Sequence, residues 1–231
     1  MSIDWKQFGL PDPIGELAHG GHTIYTFDSG LPEYSVLDEL HEQGLHGALW
    51  AMWNESIDPD DVEEEDLALV GGLKEYKEFI GHEDEALAAF GLNPDLSVRA
   101  EAEVDEPSVW TDPGDIWEEE IANSQFAVVE GSVGQAAMTM SCTACANVLP
   151  LGALGHVFDA LDTRFGVQLL GLGDQELPNV IVRFPNVDGQ REDIVAALSP
   201  DLGHGWVSNV TLDTVTCWFS SVGKNFSALS G

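Results

Sequence analysis

Residues 124–145 read SQFAVVEGSVGQAAMTMSCTAC, and the fold assigned to the chain turns on this stretch. It is rich in Val, Thr, Ser and small residues and is punctuated by Gly131 and Gly134, a composition that favours pleated backbone broken by turns. Downstream, FGVQLLGL (165–172), NVIVRF (179–184) and GWVSNVTLDTVTCWFSSVG (205–223) repeat the texture, separated by Gly, Pro and the turn-forming Asn186-Val187-Asp188-Gly189. If the last run is one strand, Trp206, Val210, Leu212 and Trp218 share one face and Val207, Val215, Cys217 and Phe219 the other. Apolar side chains on both faces suit a strand inside a sandwich that also meets something outside it. Helical interruptions are expected at LGALGHVFDALDTRFG (151–166) and at GQREDIVAAL (189–198), ahead of Pro200. Several short strands with frequent turn signals predict a mainly β fold, a jelly roll or β-sandwich with an acidic, partly helical region, and α+β is the alternative.

Upstream of this β-rich segment, residues 1–34 carry Pro11, Pro13 and several glycines around one strand candidate, HTIYTF (22–27), and read as an extended N-terminal arm. Residues 35–120 read as an acidic, solvent-facing region, an insertion or a tower. Val36, Leu37 and Leu40 give PEYSVLDELHEQ (32–43) helical spacing, and GALWAMW (47–53) is a strand or buried apolar run. Asp58 as N-cap, Pro59 at the first helical position and the acids that follow open a further helix, which Gly71 and Gly72 divide. HEDEALAAFGL (82–92) adds a short helix, and LSVRAEAEV (96–104) alternates as a half-buried strand. Residues 121–231 then form the low-charge, β-rich segment to which assembly contacts are assigned.

Charge sets the environment. Against 41 Asp and Glu stand only 8 Lys and Arg, a formal charge of −33 in 231 residues. Self-repulsion at that charge opposes a compact state in dilute salt, whereas at about 1 M salt the Debye length falls to roughly 3 Å and only adjacent charges interact. The composition therefore points to concentrated salt. The acids are uneven: residues 1–120 hold 31 acidic and 4 basic side chains, residues 121–231 hold 10 and 4. A surface facing brine is where acids are expected, so a weakly charged half reads as covered, by the rest of the chain or by neighbouring subunits.

The same numbers exclude classes. Phosphate recognition needs clustered Lys and Arg, and only Lys74 and Lys77 lie close together, among glutamates, so direct nucleic-acid binding is not expected. The start, MSIDWKQFGLPDPIGELAHGG, lacks the layout of a secretory signal, and no run approaches the roughly 18 apolar residues of a membrane span. Sequons at Asn54, Asn209 and Asn225 are then chance matches, and three cysteines do not suggest a disulfide framework.

Motifs carry little chemistry of their own. Met140-Ser-Cys142-Thr-Ala-Cys145 fits M-x-C-x-x-C and resembles the metal loop of heavy-metal-associated domains, ferredoxin-like folds whose paired thiolates hold soft ions such as Cu(I). This resemblance implies copper transfer through Cys142 and Cys145, and the same pair opens the wider reading of a copper or zinc handling, or thiol-redox, protein; the alternative treats both as small apolar packing residues on a strand. Cys217 with His156 or His204 would complete a Cys₃His zinc set, without a second paired motif to support it. His19-Gly20-Gly21-His22 suggests a glycine-rich oxyanion loop, but no G-x-S-x-G accompanies it, and Glu130-Gly-Ser-Val-Gly134 does not match that pattern. His41 and His46 lack the H-E-x-x-H arrangement, and Asp58–Asp66 lacks the spacing and central glycine of an EF-hand loop.

Size, acidity and a β-rich, low-charge segment over about half the chain are similar to the major capsid proteins of haloarchaeal icosahedral viruses with an internal membrane, which build shells from small upright jelly rolls. The resemblance implies a non-enzymatic structural subunit that needs no cofactor, partners that are further copies and other capsid subunits, and a place in the virion after synthesis in the host cytoplasm at high salt. An internal membrane would then lie close to a chain that does not span it.

Overall fold

The computed structural model describes residues 3–54, 72–99, 108–109, 124–140, 151–172 and 180–185, with Gln190, Asp193, Ile194, Ala197 and the strands at 206–210 and 215–219. Its strands are β1 (Gly15–His19), β2 (His22–Phe27), β3 (Leu45–Asn54), β4 (Ser108–Val109), β5 (Ser124–Glu130), β6 (Gln168–Leu172), β7 (Val180–Phe184), β8 (Trp206–Val210) and β9 (Val215–Phe219). Its helices are α1 (Tyr34–Glu42), α2 (Gly72–Glu78), α3 (Glu83–Ala89), α4 (Val133–Thr139) and α5 (Leu151–Phe165). The described strands join one mixed sheet in the order β1-β2-β5-β3-β6-β7-β9-β8-β4. β3 pairs antiparallel with β5 and parallel with β6, so it lies inside the sheet.

Helices cover both faces of this sheet. On one, α2 to α5 bury Leu73, Tyr76, Leu87, Ala136, Leu154, Val157 and Phe158 against Ile24, Ala48, Trp50, Val129 and Leu169. On the other, Leu37 and Leu40 of α1 and a 3₁₀ turn at Trp5–Phe8 cover Phe27, Leu49, Phe126, Val128 and Leu170. Neighbouring side chains on β5 therefore enter opposite cores, which is why Phe126, Ala127, Val128 and Val129 are all apolar. The sheet with helices on its faces makes the fold α+β, the alternative of the sequence reading; the two stacked sheets of a sandwich do not form among the described residues.

The opening stretch explains the difference. Ser124–Glu130 is a strand as read, but Val133–Thr139 is a helix. Ser132 caps it, its Oγ accepting the Gln135 backbone N–H at 3.2 Å. Ser132-x-x-Gln135 is a capping-box spacing ahead of two alanines, a helix signal that outweighs the Val and Thr content. The last run is also divided: β8 and β9 form an antiparallel hairpin that pairs Val210 with Val215, so the faces assigned to one continuous strand do not carry across residues 211–214. Instead of a strand at 96–104, Val98 makes a single bridge to Leu92, and the residues from Ala100 onward lie outside the described ones.

Other expectations hold: the strand at 22–27, the helices at 34–42, 83–89 and 151–165, and the strands of 168–172 and 180–184. The acidic helix expected from Asp58 lies outside the described residues, apart from α2, which begins at Gly72. Residues 1–34 contribute a hairpin to the sheet, closed by Gly20 and Gly21 at φ 57° and 93°, the left-handed pair that a two-residue turn requires. All three sequence segments thus enter one sheet. The low charge of 124–172 has a source within the chain, because β5, α4, α5 and β6 are its buried centre.

Candidate functional site

Titratable side chains collect where β3 begins and β5 ends, and each is placed there by a different element. Ser132 is fixed as the cap of α4. Asp159 and Asp162 project from α5, Tyr76 from α2, His41 from the last turn of α1, and His46 from the start of β3. Asp159 is the hub: its Oδ2 accepts the Tyr76 hydroxyl at 2.7 Å and its Oδ1 accepts the Gly134 N–H at 2.7 Å. With its proton committed to Asp159, the Tyr76 oxygen is left to accept from Ser132 Oγ, 3.2 Å away. His156 stacks on the Tyr76 ring, centroids 4.2 Å apart, and donates from Nε2 to the Tyr76 carbonyl at 2.9 Å.

Beside this hub lies a histidine pair. His41 and His46 meet edge to face with centroids 5.1 Å apart. His41 Nε2 donates to Asp162 Oδ1 at 3.0 Å, and this hydrogen bond raises its pKa above the usual imidazole value against the opposing effect of burial. His46 is buried and donates from Nε2 to the Gly131 carbonyl at 3.0 Å; burial first, and the neighbouring His41 second, lower its pKa to about 4. Burial pushes the Tyr76 phenol well above its ordinary range, so it remains a proton donor.

A third group continues along the same face of α1. Arg183 of β7 is 6% exposed, stacks on the Tyr34 ring at 4.3 Å, and donates from Nη1 to Gln168 Oε1 at 3.0 Å and to Asp38 Oδ1 at 3.3 Å. Gln168 also donates to Asp38 Oδ1, at 2.9 Å. Tyr34, Asp38 and His41 are spaced at i, i+4 and i+7, so one helix face carries every contact that α1 makes to Arg183, Gln168 and Asp162.

The structure relocates the motifs read from the sequence. The His19-to-His22 loop is the β1–β2 turn, and Glu130-to-Gly134 is the β5–α4 turn; Gly21 and His22 of the first join Glu130 and Gly131 of the second, with Thr23, Tyr25 and Gln135, around an open cleft of about 340 Å³. Ser132 itself is held in the Asp159 network through Tyr76 and does not line this cleft. His41 and His46 come together as spacing alone did not indicate, and Asp162, the partner of His41, carried no motif. Two sequence features not used in the sequence reading mark parts of this network: the capping-box spacing of Ser132, and the one-face spacing of Tyr34, Asp38 and His41.

Cys142, Cys145 and His204 lie outside the described residues, and Cys217 is on β9. Met140, two residues before Cys142, caps the C-terminus of helix α4, whereas a ferredoxin-like metal domain has a strand leading into that loop. His156, the fourth ligand considered for zinc, is committed to Tyr76. Among the described residues no group of three His, Cys, Asp or Glu side chains is arranged to hold a metal ion, and no helix is long and apolar enough to cross a membrane. Comparison of the chain with family models, curated proteins and solved structures found no match.

Proposed function

We propose that the chain is a non-enzymatic structural subunit of an assembly that works in concentrated salt, in its specific form a capsid subunit of a haloarchaeal virus that contacts further copies and other shell proteins and uses no cofactor. The observation that supports this reading is where the polar chemistry is spent. Ser132, Tyr76, Asp159, His156, His41, Asp162 and His46 bond to one another or to backbone groups of other elements, and Arg183 to Gln168 and Asp38, so they tie the helices to one another and to the sheet. Among the described residues no Asp or Glu is buried, which leaves their charge toward the surface. A rigid interior with a hydrated, acidic exterior is what a lattice subunit in brine needs. The charge asymmetry between the halves supports it less, since the weakly charged elements are covered within the chain.

The test is the mass of the full chain in multimolar salt across a concentration series, by sedimentation or small-angle scattering. The reading expects reversible growth to species larger than one chain as concentration rises. A monomer at every concentration would overturn it.

A further inference from the structure

β1 ends the described sheet, and its outer edge has a geometry that accepts a second copy of itself. The two-residue turn makes His19 and His22 a hydrogen-bonded pair, and alternation along the register then makes Leu17–Ile24 a bonded pair and leaves Ala18–Thr23 and Glu16–Tyr25 as non-bonded pairs. The N–H and C=O groups of Glu16 and Ala18 therefore point away from β2, along an edge that no other described strand pairs. At Ile14 the pattern stops, because its N–H turns inward to the Thr26 carbonyl at 2.8 Å. Glu16 and Ala18 are exposed, and Ile14, beside them, is 50% exposed.

We infer that two copies pair antiparallel through β1 about a two-fold axis at Leu17. Only that register uses every outward group: Glu16 of each copy exchanges both hydrogen bonds with Ala18 of the other, and Leu17 faces its own counterpart. Centring on Glu16 would oppose like charges and waste Ala18 against the inward-turned Ile14. Centring on Ala18 would carry Glu16 onto the Gly20 turn. The chosen register instead sets each glutamate opposite an alanine, with room for its side chain, which removes the directly opposed like-charge pair that protects many edge strands. Two chains that each carry −33 repel, so the contact strengthens as salt screens them. This inference rests on the assembly reading and names one of its contacts; a short strand edge makes a weak interface, appropriate to one of several in a lattice.

Ala18→Pro removes an outward N–H without touching a β1–β2 hydrogen bond, and proline is tolerated on an edge strand. In high salt, sedimentation of the full chain should show concentration-dependent pairing for the wild type and at least tenfold weaker pairing for Ala18→Pro, with unchanged circular dichroism. Leu17→Cys provides an independent reading, since facing non-bonded residues lie about 4.5 Å apart at Cα, within disulfide reach. Mild oxidation should give a covalent dimer whose linked peptides join position 17 to position 17, over the background set by the wild type's own thiols. If the wild type forms larger species that Ala18→Pro leaves intact and Leu17→Cys does not cross-link, the edge contact is wrong and the assembly reading stands. If the wild type remains monomeric throughout, both fall.

Discussion

At the residue scale, the neighbouring histidines respond to pH with opposite sign. The folded pKa of His46 is lowered from 6.5 to about 4, so the stability tied to its neutral form is present above pH 6.5 and is lost as pH falls through that window, amounting to about 3 kcal/mol. His41 has its pKa raised by Asp162, so its contribution is complete below pH 6.5 and fades as pH rises through the folded value. His46→Gln keeps a donor for the Gly131 carbonyl and removes the titration. Denaturant unfolding in high salt should show the wild type losing stability between pH 6.5 and 4 and the variant losing about 3 kcal/mol less; parallel profiles would place the acid lability elsewhere. Neither behaviour is legible from His41-Glu-Gln-Gly-Leu-His46, because it depends on Asp162 and Gly131, which arrive from α5 and the β5–α4 turn.

At the scale of elements, glycine governs how the helices meet. A Cβ on Gly134 of α4 would collide with the Gly155 carbonyl of α5, and one on Gly152 would collide with the α2 backbone at Glu75 and Tyr76. These close approaches let Asp159 reach both the Gly134 N–H and the Tyr76 hydroxyl. Gly134→Ala should therefore destabilise the fold by about 3 kcal/mol although alanine favours helix, a loss read from the denaturation midpoint at constant slope. A neutral or stabilising result would mean that α4 shifts freely on α5. Elements with a single periodicity were legible: 34–42 by its Leu spacing, 151–165 by length and apolar content, and 168–172 and 180–184 as short apolar runs. Residues 133–139 were not, because Val and Thr content and helix-cap spacing point in different directions, and packing against α5 favours the helix.

For the whole molecule, charge is the quantity that conditions govern. With −33 on 231 residues, the proposal of a brine protein predicts that dialysis to millimolar salt abolishes the circular dichroism of the folded chain and that added salt restores it. Full retention of structure in dilute buffer would count against the salt adaptation. Composition by itself determined this acidity, the scarcity of cations for binding phosphate, and enough apolar material for a folded core, since these are sums over residues and do not depend on arrangement. The tertiary structure alone decided that the described strands join one sheet covered on both faces, that Arg183 is buried between Tyr34, Gln168 and Asp38, and that His41 meets both His46 and Asp162. Those outcomes depend on strand order and helix crossing, which bring together residues more than a hundred positions apart, as with Asp38 and Arg183, and no local pattern encodes a contact at that separation.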